Sequence, residues 1–404
     1  TGSNTLTFNY TIGSGETSSD LDYKATSSLG LNSGTIKDAA LNAATLTLAS
    51  LGATNSLGVN KALIVDTSVP TISSASLNSA NSELTVTFSE NVYNTNGGSG
   101  NLEVADFWLS ISGGAATVAS TPTGITKTAQ NIWVLNVNIS GTADGSETLR
   151  VSPSTVDAIY DGAGNAASTT QYPNNGGQIL TEKILPTIAL SSSAANLKVG
   201  ETATITLTLS ESVSDFIVGD ITVSGGNLSS FSGSGTSYTV VFTPSTNSTS
   251  DGVISVANTK FTDAAGNANA DGSDSNNTAT ITVDTRRPTI AITSDVSSLK
   301  AGETATITFT ISESVSDFVY GDITVTSGGT LGSLSGSGTS YTATFTPTSE
   351  SNVNGVISVA DTKFTNAAGN TNADGSDGNN TATITVDTRR PTIAITSDVS
   401  SLKA

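Results

Sequence analysis

Between Thr304 and Thr310 the chain sets Ala305, Ile307 and Phe309 against Thr304, Thr306, Thr308 and Thr310, and Ile311 continues the series. A period of two turns one face of a strand to a core and the other to solvent. Residues 340–346 repeat the pattern with Tyr341, Ala343 and Phe345, and residues 381–387 with Ala382, Ile384 and Val386. No segment combines a 3.6 period with helix caps, so the expected elements are strands broken by Gly, Ser and Asn turns.

The strands recur in a longer period. Pro70, Pro186, Pro288 and Pro391 each open a Pro-Thr-Ile, at spacings of 116, 102 and 103 residues. A repeat near 100 residues is the size of an independent domain and too long for a solenoid unit. The expected organisation is 1–66, the back part of a repeat; 67–184, a divergent repeat; 185–285 and 286–388, two nearly identical repeats; and 389–404, the first strand of another. Roughly seven strands are expected per unit: after the proline, from Glu303, from Asp317, weakly around Leu331 to Leu334, and from Ser340, Val356 and Thr381. Seven short alternating strands in such a unit predict an all-β chain of tandem immunoglobulin-like β-sandwich domains in an extended array. The Cys pair and buried Trp of antibody domains have no counterpart in these repeats, so the core rests on Ile, Val, Phe and Tyr.

Four segments carry a resemblance: V-D-T-x-x-P-T-I (Asp66 to Ile72 and Asp284 to Ile290), S-E-S-V (Ser210 to Val213), G-D-I-T-V (Gly219 to Val223) and D-A-A-G-N (Asp263 to Asn267). Their combination resembles the bacterial Ig-like repeats of giant extracellular surface adhesins of the biofilm type. The resemblance implies a stalk at the bacterial cell surface, exported by type I secretion, with calcium held between consecutive domains.

Composition narrows the chemistry. The 404 residues include no Cys, His or Met, which removes disulfides, Ser-His-Asp and Cys-His catalysis, zinc fingers and haem or iron–sulfur ligation. The net charge of −19 offers no basic face to nucleic acid. Residues 1–10 hold no basic segment followed by an apolar run, and no stretch is long and apolar enough to insert in a membrane. Without a Met, the chain is expected to be a piece or processed product of a longer protein.

Sandwich topology brings the start of the first strand to the end where the second-to-third and sixth-to-seventh loops lie. Acidic segments are therefore expected to meet at each joint: Asp66, Glu90 and Asp161 at the first; Glu182, Glu211 and Asp263 at the second; and, at the third, Asp284 from the outgoing strand, Glu313 and Asp317 from the S-E-S-V-S-D loop, and Asn366, Asn370, Asp374 and Asp377 from the long late loop. Asp387 ends the last complete unit as Asp284 ends the one before. Crowded carboxylates repel, and an all-oxygen ligand set suits Ca²⁺ better than Mg²⁺. Glu182 stands where the other joints have Asp, and Asn366 where the other loops have Asp. The Asp220 and Asp322 of G-D-I-T-V are read either as further metal ligands or as caps of a turn. The competing reading of all these loops is that Asp and Asn are turn formers.

These features predict a non-enzymatic spacer whose partners are its own neighbouring repeats and, through domains outside this sequence, a host, substratum or other-cell surface. Two alternatives stay open: a glycan-binding module in 67–184, where Trp108 and Trp133 lie, or a subunit of a surface layer or filament.

Overall fold

The computed structural model describes residues 4–171 and 177–401. Residues 1–3, 172–176 and 402–404, which belong to the first, second and last expected segments, lie outside the described residues. The chain is all-β apart from one short α-helix (α1, Leu57–Asn60) and single 3-10 turns, and divides into two compact units, Thr1–Ile184 and Leu185–Ala404. Among the described residues no helix is long and apolar enough to cross a membrane.

In the first unit, the divergent repeat contains β1 (Ile72–Leu77), β2 (Glu83–Phe88), β3 (Phe107–Ser112), β4 (Thr117–Val118), β5 (Gly124–Ala129), β6 (Ile132–Asn136), β7 (Ile139–Ser140), β8 (Thr148–Pro153) and β9 (Gln178–Ile179). One sheet runs β1-β2-β6-β5, the facing one β3-β8-β9, with a small β4-β7 pair. Trp133 lies in the core, its indole N–H donating to the Gln130 carbonyl at 3.2 Å, whereas Trp108 points outward from β3 and is half exposed. The two tryptophans thus sit on different sheets and different faces, and form no shared platform.

The second unit holds two copies of one sandwich. The first has β10 (Ile188–Ser192), β11 (Asn196–Leu197), β12 (Ala203–Val213), β13 (Ile221–Ser224), β14 (Gly226–Pro244), β15 (Gly252–Val256) and β16 (Thr278–Val283); its sheets are β10-β12-β14 and β11-β16-β15-β13. The second has β17 (Ile290–Ser294), β18 (Ser298–Lys300), β19 (Ala305–Val315), β20 (Ile323–Ser327), β21 (Gly329–Leu331), β22 (Ser335–Pro347), β23 (Gly355–Val359) and β24 (Thr381–Asp387); its sheets are β17-β19-β22-β21 and β18-β24-β23-β20. The opening strand changes sheets part-way: β17 pairs antiparallel with β19, and β18 pairs parallel with β24. The opening strand thus supplies one edge of each sheet. The thirteen letters of residues 289–301 return at 392–404, yet residues 391–401 are exposed and form no strand. In the first place β19 supplies the partner ladder; after Arg390 no such strand follows in this sequence.

The period-two pattern becomes the core directly. Ala305, Ile307, Phe309 and Ile311 are buried on one face of β19, with Tyr341, Ala343 and Phe345 beside them from β22 and Ile384 and Val386 from the facing sheet. Two glycines make room for the largest of these rings. A Cβ on Gly355 would meet the Phe345 ring at 2.4 Å and one on Gly329 at 2.6 Å; Gly252 and Gly226 stand in the same relation to Phe242. Gly355 does not have a positive φ, so the demand is for space alone. Gly355→Ala is expected to destabilise this repeat by about 1–3 kcal/mol, the range for overpacking a filled core, and Phe345→Leu in the same chain should recover part of that loss. Denaturant unfolding of the single and double variants measures both.

Candidate metal centre at the joints between repeats

The late loop of each repeat is built on one five-residue turn. In Asp161–Asn165 the Asp161 Oδ1 accepts from the backbone N–H of Ala163 (2.9 Å) and Asn165 (2.8 Å), and its Oδ2 accepts from the Asn165 side-chain amide (2.7 Å). Asp263 and Asn267 make the same pair of bonds at 2.8 Å each. The fourth residue needs a left-handed backbone, which glycine adopts without strain; Gly164, Gly266 and Gly369 have φ of 94°, 88° and 83°. The same turn stands at Asp38–Asn42 in the first segment, where Asp38 accepts from Ala40, Asn42 and the Asn42 side chain, and where Leu41 occupies the glycine position at φ 67°. Those bonds hold the Asp38 carboxyl below its ordinary pKa, the Asn42 side-chain amide being the largest contributor. Sequence reading missed this copy because Leu41 hides the motif. No strand is formed by residues 4–66, where the bridges Ser18↔Val65 and Lys37↔Ala43 are the regular pairings.

At the first joint the turn meets the linker. Carboxylate oxygens of Asp66, Glu90 and Asp161 lie within 4.8 Å of one another, Asp161 fully buried and the other two half-buried. The linker Asp closes a small turn of its own, Asp66 Oδ1 accepting from Ser68 N–H at 2.9 Å, while the Asn165 amide donates to the Asp66 carbonyl at 3.1 Å. Asp284 and Asp387 make the same linker turn with Arg286 and Arg389. Asp387 is exposed and pairs with the Arg389 guanidinium at 3.6 Å.

The other expected ligands are placed as follows. Glu182, in the first unit, is half-buried and accepts from the backbone N–H of Ile184. Glu211 on β12 and Asp263 in the late loop, both in the second unit, bring carboxylate oxygens within 4.8 Å of each other. At the third joint the side-chain amide of Asn366 donates to Asp284 Oδ2 (3.1 Å), to the Arg286 carbonyl (3.1 Å) and, at 3.4 Å, to Glu313 Oε1. Asp317 is drawn away to Thr365, whose N–H and hydroxyl it accepts at 2.9 and 2.6 Å. Asp220 and Asp322 serve their own 3-10 turns, accepting from the N–H of Ile217 (2.9 Å) and Val319 (2.8 Å). Asp106 does the same for Glu103 at 2.7 Å.

One role escaped sequence reading altogether. Asp374 Oδ2 accepts the N–H of Ile290, the first residue of β17, at 2.7 Å; Asp271 does this for Ile188 at 2.6 Å and Gln171 for Ile72 at 2.9 Å. Behind them, the fully buried Asn269 and Asn372 accept from the N–H of Lys260 and Lys363 at 2.8 Å and donate to the carbonyls of Ala257 and Ala360 at 2.9 Å. The signal available in the sequence is the N-A-D that recurs at Asn269–Asp271 and Asn372–Asp374, one repeat apart.

Residues 182–280 and 284–383 each match the family model of a bacterial Ig-like domain. The two stretches are thus similar to bacterial Ig-like domains, in tandem. Among solved structures, the chain is similar to FdeC, an adhesin of Escherichia coli, at 16% identity over 79% of this chain and 94% of that one, with a TM-score of 0.30. It is similar to invasin, a bacterial integrin-binding protein, at 12% over 80% and 59%, TM-score 0.30. It is also similar to the Yersinia pseudotuberculosis adhesin InvE at 14% over 50% and 58%, TM-score 0.21. The chain therefore spans less than two thirds of the latter two, and likenesses with such scores carry no argument about its partners. No curated protein matches the chain.

In the repeat preceding these Ig-like domains, electrostatics at the acid cluster is unfavourable. Burial, then the Asp161 and Asp66 charges, push the Glu90 carboxyl above its ordinary pKa. An acid whose folded pKa is raised leaves the fold uncharged-by-preference: no penalty exists below the ordinary value, and stability is lost as pH rises through the raised one. In chelator, Glu90→Gln should therefore raise the melting temperature of the chain at pH 7 and leave it unchanged below about pH 4, where the ordinary carboxyl is protonated. Melts at the two pH values check the sign.

Proposed function

We propose that this chain is a stalk segment of a bacterial surface adhesin, in which tandem Ig-like domains space a binding domain from the cell, and in which Ca²⁺ ties the first joint through Asp66, Glu90 and Asp161. The observation that carries this reading is the convergence of three carboxylates from the linker, the second-to-third loop and the late loop. Two like charges 4 Å apart cost about 1 kcal/mol in water and about 4 kcal/mol at an effective dielectric of 20. The donor set is entirely oxygen, which fits a hard divalent cation, and among the described residues neither ion pair involves these three acids. When bound, the ion would supply the missing positive charge. The chain's own residues do the rest: the Asp66 turn presents its free Oδ2, and the Asn165 bonds hold Asp161 rigidly enough to serve as a ligand.

The placement outside the cell, the biofilm context and the absence of catalysis belong to the same reading. It is supported by the Ig-like domain family and by acids that sit at a joint, where Asp161 is committed to holding a turn. Adhesion is then the task of domains outside this sequence, and the repeats act by reach and stiffness. Ions tying one domain's loops to the preceding linker would restrict the hinge.

With free Ca²⁺ at about 100 times its Kd, an ion bound only by the folded form stabilises by about 2.7 kcal/mol. The chain is expected to melt higher in Ca²⁺ than in chelator and to show a larger maximum dimension by small-angle scattering. Asp161→Asn should abolish most of the thermal increment. A wild-type chain indifferent to chelator in both measurements would overturn the reading.

A further inference from the structure

The third joint has the same frame as the first but a different occupant. Asp284 presents its Oδ2 as Asp66 does, Glu313 stands at the place of Glu90, and Asn370 donates to the Asp284 carbonyl at 2.8 Å as Asn165 donates to that of Asp66. The late-loop turn begins with Asn366 in place of Asp. Which way this amide faces is fixed by its other end: Asn366 Oδ1 accepts the Asn370 N–H at 2.9 Å, so the NH₂ faces the acids. It offers no ligand oxygen there, and its hydrogens occupy the space between Asp284 and Glu313. The expected role of Asn366 as a metal ligand does not fit this arrangement.

We propose that the joint between the two Ig-like domains closes without a metal ion, the Asn366 amide standing between Asp284 and Glu313 where the first joint has a third carboxylate. For its contrast with the first joint this inference rests on the calcium reading above. Further bonds close the joint in the ion's absence. Asn370 Oδ1 accepts the N–H of Val199, in the turn before β12, at 2.9 Å. The Arg287 guanidinium donates to the Thr371 carbonyl at 2.9 Å and its hydroxyl at 3.0 Å. Asn366 and Asn370 are both buried, so their bonds are sheltered from competing water. Across the joint the late-loop amides act in both directions: Asn366 and Asn370 donate to the Asp284 carboxylate and carbonyl, and Asn370 accepts from the Val199 N–H. One array thus contains two kinds of joint: one with three converging negative charges and one with two that are already hydrogen-bonded. A single Asp/Asn exchange at the head of the late loop sets which kind is made.

The test counts calcium ions bound by the full chain, by titration calorimetry after chelator treatment, in wild type, Asp161→Asn and Asn366→Asp. Asn366→Asp restores the residue found at 161 and 263, so it is expected to fold, and it should bind one more ion than wild type. An unchanged count would overturn the proposal. If Asn366→Asp gains an ion but Asp161→Asn loses none, the calcium reading of the first joint fails while this inference stands.

Trypsin gives a second readout, because the Arg286–Arg287 bond lies in this joint and the Arg389–Arg390 bond lies in the same sequence without a docked successor. Cleavage after Arg286 should be at least about tenfold slower than after Arg389, equally in Ca²⁺ and in chelator, and Asn366→Ala should bring the two rates together. Chelation alone accelerating the Arg286 cut by about tenfold would show an ion-dependent joint and sink the idea.

Discussion

Buried backbone groups outside the sheets must find partners, and in this chain nearly every other feature follows from how they do so. The late loop of each repeat is long and irregular, and it packs against the sandwich end and the incoming linker. Its N–H and C=O groups cannot all reach one another, and leaving them unpaired would cost roughly 1–3 kcal/mol each. Short amide, carboxylate and hydroxyl side chains pair such groups in and around the loop: Asn372 holds the Lys363 N–H within it, Asp374 reaches out to the Ile290 N–H of the first strand, and Thr388 donates to the carbonyls of Thr348 and Ser351. A chain rich in Asn, Asp, Ser and Thr, which by composition alone resembles a disordered one, is here a chain whose loops are ordered by side chains.

This solution has an electrostatic consequence. Carboxylates that hold backbone N–H groups are fixed in place, so where two repeats meet the charges cannot swing apart to relieve their repulsion. At Asp66, Glu90 and Asp161 three carboxylates converge, and burial, then the Asp161 and Asp66 charges, hold the Glu90 carboxyl above its ordinary pKa. At Asp284, Glu313 and Asn366 the same scaffold brings an amide donor to two carboxylates. The Asx turns of the linker aspartates fix Oδ1 in both cases, and at Asp284 the remaining Oδ2 accepts from the Asn366 amide.

Strand position and facing were legible because burial leaves a period-two trace that local chemistry does not disturb. β19 begins at Ala305 and buries Ile307, Phe309 and Ile311 as the alternation demands. The crossover of the opening strand left no such trace: Ser294 to Leu299 carries no period that distinguishes pairing with β19 from pairing with β24, and the choice is made by the sheets already present. Residues 392–401 repeat the letters of 289–298, which include β17, and form no strand. Local sequence specified which residues could form a strand; the partner decided whether they did.

The site was legible to the extent that topology alone determines it. Asp66, Glu90 and Asp161 were brought together by nothing more than the handedness of a sandwich and the order of its loops. What sequence could not resolve is where each carboxylate spends its lone pairs. Asp220, Asp322, Asp317 and Asp374 are the same residue type as Asp161 and lie as close to turns, yet each is bound to a backbone N–H that fixes it elsewhere. Asn366 differs from Asp161 by one atom type: its Oδ1 still accepts the N–H of the fifth turn residue, but the other end of the side chain donates where Asp161 Oδ2 accepts. Charge counting sees a joint weakened by one unit; the geometry shows a joint in which the missing charge and the added donor come from the same substitution.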